Sequence, residues 1–157
     1  MNEYDWKFST IGGKTRVNIV SGEDIRHLGE LDQKLWTVLS CPVTGLEFNE
    51  KTLKMLDANG DGRIHVNEVV SAANWLTSII DDPDLLLKKE DFICFSSFNT
   101  ENPDGKRLLA SAKQILSNLG LKKDSISISD TDDSVAIFAK TAFNGDGIIT
   151  EQSTPDE

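Results

Sequence analysis

The chain has 157 residues, 38% hydrophobic and 27% charged, with 26 acidic against 16 basic side chains and a net charge of −10. That length suits one domain, the apolar content supplies a continuous core, and the mixed charge argues against wholesale disorder. The negative field disfavours nucleic acid, no segment is apolar for long enough to span a bilayer, and residues 1–6 have neither the basic start nor the apolar run of a secretory signal.

From the N-terminus, Tyr4, Trp6 and Phe8 alternate with polar residues, as do Val17 and Ile19. With Gly12 and Gly13 between them, residues 4–10 and 15–20 are predicted to form a β-hairpin. Ser21 followed by Asp24 has the form of a helix N-cap, and Ile25, Leu28, Leu31, Leu35, Val38 and Leu39 continue at helical spacing. Gly29 is a candidate break and Pro42 a stop. Cys41 and Cys94 do not make a disulfide framework and are expected as buried free thiols, with a single bridge between them left open.

Asn49 is placed to cap a short helix, with Phe48 packing on Leu53 as a hydrophobic staple. Val66, Val69, Val70, Ala73, Leu76 and Ile80 trace one face of a longer helix, which Asp81, Asp82 and Pro83 stop. Residues 84–103 have no clear period. Leu108, Ala112, Ile115, Leu116 and Leu119 mark a further helix closed by Gly120. Ile126 and Ile128 lie in a short extended piece, and a last helix is expected near 131–142. Thr154, Pro155, Asp156 and Glu157 read as the start of a helix, so the natural chain is expected to continue.

Between the two central helices lies Asp57-Ala58-Asn59-Gly60-Asp61-Gly62-Arg63-Ile64-His65-Val66-Asn67-Glu68. It fits a twelve-position calcium loop. Calcium is a hard cation that takes six to eight oxygens. Asp57, Asn59 and Asp61 offer side-chain oxygens, Arg63 its carbonyl, and Glu68 both carboxylate oxygens. Gly62 permits the sharp turn, and Ile64 is expected to point inward in a short strand. Magnesium would lose the bidentate Glu68, and zinc prefers nitrogen and sulfur, which only His65 supplies here. His65 stands where small oxygen side chains often hold a water.

A second glycine-rich turn, Asn144 to Ile149, can be aligned on the same pattern, with Ala142 first and Ser153 last. It keeps only Asn144 and Asp146 as ligand candidates, so a structural role is expected, pairing Ile149 with Ile64 in a two-stranded ribbon.

Residues 49–80 resemble the EF-hand superfamily. More widely, "LDQKLWTVLSCPVTGLEF", "LDANGDGRIHVNEVVSAANWL" and "FNGDGII" resemble the N-terminal region of long, uncharacterised bacterial EF-hand proteins. The resemblance implies a helical EF-hand core and brings no activity with it.

The fold expected is therefore mainly α with small β elements, in one domain over 1–157. It would comprise a β-hairpin at 3–21, a helical segment at 22–48, an EF-hand at 49–80, a helical insertion at 81–130 and a degenerate second EF-hand half at 131–157. The function expected is that of a calcium-binding module of a larger bacterial protein, cytoplasmic, with one competent site. Calcium is the expected ligand. Other domains of the same chain or a protein partner are the expected contacts, with no nucleic acid or membrane. A calcium-dependent adaptor is the alternative, although a chain with only two methionines, Met1 and Met55, lacks the usual Met-rich groove. No enzyme is expected: His27, His65 and Cys41 lie in no nucleophile or metal-catalytic motif. Any catalysis would belong to sequence beyond Glu157.

Overall fold

The computed structural model describes residues 4–132 and Ile137. The chain separates into two compact units, Met1–Lys89 and Glu90–Glu157. Among the described residues the fold is helix-rich, with five α-helices, short 3-10 turns and three two-stranded antiparallel sheets. No helix among them is long and apolar enough to cross a membrane.

The first unit opens with the expected hairpin, β1 (Phe8–Ile11) against β2 (Lys14–Val17), with Phe8 opposite Val17. Gly12 and Gly13 turn it with φ of 59° and 75°, the left-handed pair that a two-residue hairpin loop needs. Tyr4 lies outside the strand. Its ring stacks on His27 at 4.1 Å and its hydroxyl donates to Asp24 Oδ1 at 2.8 Å.

Asp24 organises α1 (Gly22–Arg26): its Oδ2 accepts from the Val20 and Ser21 amides, both at 2.8 Å, while Ser21 Oγ accepts from the Asp24 amide. Burial of Asp24 opposes its charge, but the Val20 amide, the Tyr4 hydroxyl and the Ser21 side chain and amide outweigh it and hold the carboxyl below its usual value.

The long helix predicted after Ser21 does not form. Its apolar residues are divided among α1, 3-10 turns at Leu28–Glu30 and Gln33–Leu35, and β3 (Ser40–Pro42). Two features divide it, one distant in sequence and one local. Gly29 passes so close to α3 (Val66–Ile79) that a Cβ there would lie 3.3 Å from Val70. Asp32 then caps a fresh 3-10 turn through the Lys34 amide at 2.9 Å. The 3-10 turn Pro83–Leu87 also belongs to this unit. It seats Pro83 against Gly22, where a Cβ would meet Pro83 at 2.4 Å, and the Gly22 amide donates to Asp84. Part of the expected insertion is thus tied to α1.

In the second unit, β5 (Phe92–Cys94) pairs with β6 (Ser125–Ser127), Ile93 opposite Ile126. Between them runs α4 (Pro103–Leu119), which Asn102 caps through the Asp104 amide and Gly120 closes. α5 (Ile128–Thr131) follows β6 directly, starting before the expected 131. Asn118, buried near the end of α4, donates to the Ile137 carbonyl at 2.8 Å. The remainder of the expected last helix, the Asn144 to Ile149 turn and residues 154–157 lie outside the described residues. Cys41 and Cys94 are free and half-buried.

Candidate metal centre

The loop 57–68 joins α2 (Glu50–Leu56) to β4 (Arg63–His65), which passes straight into α3. Asn49 caps α2 as expected, accepting from the Lys51 and Thr52 amides. The predicted staple is absent. Phe48 is 71% exposed, and Leu53 packs instead with Val43 and Ile64. Ile64 is the hinge between loop and core. It is 4% exposed, so the strand that carries it cannot slide without exposing it.

The partner of β4 is β3. Cys41 stands opposite Ile64, Ser40 opposite His65 and Pro42 opposite Arg63, and the Val43 amide extends the ladder to the Gly62 carbonyl at 3.1 Å. The expected partner, Ile149, lies outside the described residues. The Arg63 guanidinium is drawn onto β3, where Nη2 and Nε donate to Ser40 Oγ at 2.8 and 3.1 Å.

Every side chain of the predicted ligand set other than Arg63 accepts main-chain hydrogen bonds of the loop. Asp57 Oδ1 accepts from the Asp61 amide at 3.1 Å and Oδ2 from the Gly62 amide at 2.9 Å. Asn59 Oδ1 accepts from Asp61 at 2.9 Å, and Asp61 Oδ1 from Arg63 at 2.8 Å. Gly62, at φ 82°, has the left-handed backbone that a Cβ would strain.

Glu68 reaches back across the loop from the first turn of α3. Its Oε1 accepts from the Ala58 and Asn59 amides at 2.8 and 3.3 Å, and its Oε2 from the His65 amide at 2.8 Å. At 6% exposed it is a buried acid held by main-chain donors alone. The first and twelfth positions are thereby brought together. His65, at the position where a small oxygen side chain often holds a water, instead places its Nε2 2.9 Å from Asp61 Oδ2. That imidazole, aided by the Arg63 amide, holds the Asp61 carboxyl below its usual value.

Among the described residues no three His, Cys, Asp or Glu side chains form a ready-made metal cluster. The donor set nonetheless fits a hard cation. It is all oxygen, it carries three carboxylates, and the loop is already closed end to end by Glu68. The amides now holding these carboxylates supply the partial positive charge that a cation would supply in full.

Sequence reasoning missed a second arrangement of this kind. In the second unit α4, β6 and α5 again form a helix, loop, strand and helix. The buried acid at the start of α5 is Asp130, 8% exposed, whose Oδ2 accepts from the Ser127 amide at 2.9 Å. Lys123 Nζ lies 2.6 and 2.8 Å from its two oxygens. The Lys123 ammonium, then the Ser127 amide and hydroxyl, lower the Asp130 carboxyl to about 2. Two signals were present in the sequence: Ser127 three residues before Asp130 has capping-box spacing, and Ile126 precedes Asp130 by four as Ile64 precedes Glu68.

No protein-family model, curated protein or solved structure matches the chain.

Proposed function

We propose that the loop 57–68 is an EF-hand calcium site and that the chain is a bacterial, cytoplasmic calcium-binding module. The observation that carries this reading is Glu68. A carboxylate at the twelfth position, buried at the start of α3, bonds the amides that follow the first ligand, Asp57. Asp57, Asn59 and Asp61 would hold the ion by side chains, Arg63 by its carbonyl and Glu68 by its carboxylate. Bound there, calcium supplies two positive charges against three carboxylates, leaving about one negative charge in excess.

The role of the ion is structural or modestly regulatory. Ile64 couples the loop to the Val43 and Leu53 core, so filling the loop stabilises the packing of α2, β4 and α3 together. No catalytic role is assigned to His27, His65 or Cys41. The test is isothermal titration of the chain with calcium, where one equivalent is expected with a rise in Tm. No heat and no thermal shift at millimolar calcium would sink the reading.

A second reading has its own observation. Met55 and Leu56 of α2 and Ala72, Trp75 and Leu76 of α3 line a groove, with Met55 81% and Trp75 45% exposed. Calcium-driven opening of the two helices would enlarge that groove for a protein partner. Fluorescence of an apolar dye that increases with calcium supports the adaptor; a flat response leaves the structural ion.

A further inference from the structure

The strand and helix start at β6 and α5 repeat the plan of β4 and α3, with a differently turned loop before them (left-handed at Gly120 rather than at Gly60 and Gly62), and meet their buried acid with a different charge. A shift of 62 residues places Asp124 on Gly62, Ile126 on Ile64, Ser127 on His65 and Asp130 on Glu68. Hydrogen bonds and register follow the shift. The Phe95 amide donates to the Asp124 carbonyl at 2.8 Å as the Val43 amide does to Gly62 at 3.1 Å. Ile93 stands opposite Ile126 as Cys41 stands opposite Ile64. The Ser127 amide donates to Asp130 as the His65 amide does to Glu68.

The same shift places Lys123 on Asp61, the fifth loop position, and Leu119 and Leu121 on Asp57 and Asn59. Three candidate oxygen donors are therefore replaced by two apolar side chains and a cation. That cation grips both oxygens of the acid at the twelfth position. We propose that Lys123 is a tethered cation that does for this loop what calcium does for 57–68, so that the second unit is a metal-independent counterpart of the first.

The chemistry favours the ammonium over a metal. Lys123 and Asp130 neutralise each other one to one, whereas Glu68 stands with Asp57 and Asp61. A covalently attached charge is present at a fixed, high effective concentration, so the loop stays closed at any calcium level. At the ligand positions calcium would find one carboxylate, Asp130, with its oxygens already taken, and no donors at Leu119 and Leu121. The comparison rests on the calcium reading of 57–68, although the Lys123 contact does not.

Hydrogen exchange by mass spectrometry on the full 157-residue chain tests this, with peptides over 57–68 and 120–131 followed in chelator and in millimolar calcium. Segment 120–131 is expected to be equally protected in both, and Lys123→Gln to lose at least tenfold of that protection in both. A second variant carries Leu119→Asp, Leu121→Asn, Lys123→Asp, Asp124→Gly and Asp130→Glu. It is expected to lose protection of 120–131 in chelator and regain it in calcium. The proposal is overturned if Lys123→Gln leaves 120–131 as protected as before. It is equally overturned if the five-fold variant, with α4 still protected, does not respond to calcium. Peptide 57–68 reports separately: exchange there that ignores calcium defeats the calcium reading without altering the Lys123→Gln result.

Discussion

The loop after α2 and the loop after α4 lead into a strand and helix of the same design, and each buries an acid in the first turn of that helix. They differ in what faces the acid. Glu68 is met by three amides and stands in a loop with two further carboxylates. Asp130 is met by a lysine and one amide, with a serine hydroxyl beside it. A buried carboxylate is costly unless it is paired or hydrogen-bonded. One strand-to-helix plan accommodates both solutions because strand pairing sets its geometry, and the differently turned residues between the first helix and the strand set the charge.

The largest expected effect concerns those isoleucines. Ile64 is 4% exposed within the Val43 and Leu53 cluster, whereas Ile126 is only half-buried. Ile64→Ala should destabilise the first unit by about 3 kcal/mol and Ile126→Ala the second by roughly half that. Urea unfolding with probes in each unit would read both, and equal losses would mean that the two strands are seated alike. Next comes the acid. Glu68→Gln should weaken calcium binding about 100-fold or more, through loss of charge and of one bidentate oxygen. Asp130→Asn should leave the calcium titration unchanged. If both substitutions weakened binding, the separation of roles would fail.

A smaller effect is a pH dependence of the second unit that runs through Asp130. Asp130 is lowered to about 2 from an ordinary 3.8 by Lys123 and by the Ser127 amide and hydroxyl. A carboxyl lowered by folding contributes stability that is complete above its unfolded value and is lost as pH falls through its folded one. The contribution is thus full above about pH 4 and disappears between there and about pH 2. Acid unfolding of the second unit should show this slope, and Lys123→Gln should flatten it.

Much of this plan was legible in the sequence, for local reasons. The Gly12 and Gly13 turn, the caps at Ser21 and Asn49, the α3 face and the Gly120 stop each depend on a few adjacent residues. The failures came mostly from partners distant in sequence, with one local cap at Asp32. Leu28, Leu31 and Leu35 keep a helical period, but Gly29 against Val70 and the Asp32 cap outweigh it. Phe48 had the spacing of a staple, yet Leu53 found Val43 and Ile64. At the candidate site the ligand set could be read from its spacing, because each loop position has its own chemical requirement. The use of β3 as the partner of β4 could not, since nothing in residues 40–42 names Ile64 as their counterpart. The Lys123 and Asp130 pair escaped because a lysine in a loop is usually solvated, and only the fold brings its ammonium to a buried acid.

The smallest expected effect sharpens the comparison at the fifth position, where one loop has Asp61 and the other Lys123. Asp61 already has a basic neighbour of its own, since His65 Nε2 lies 2.9 Å from Oδ2. An ion that takes Asp61 as a ligand must share or displace that imidazole. His65→Ser removes the competitor and places a small oxygen at the ninth position, where it can hold a water for the ion. Both side chains are solvent-accessible, with 35% of His65 and 44% of Asp61 exposed, so the contact is screened and the gain is modest. Calcium affinity should rise about two- to fourfold at neutral pH, read by competition with a chromophoric chelator. A fall in affinity instead would mean that His65 holds Asp61 in the binding orientation, as a positioning residue of the loop. The two loops would then share one device, a basic side chain that orders an acid, used beside the metal in the first and in place of it in the second.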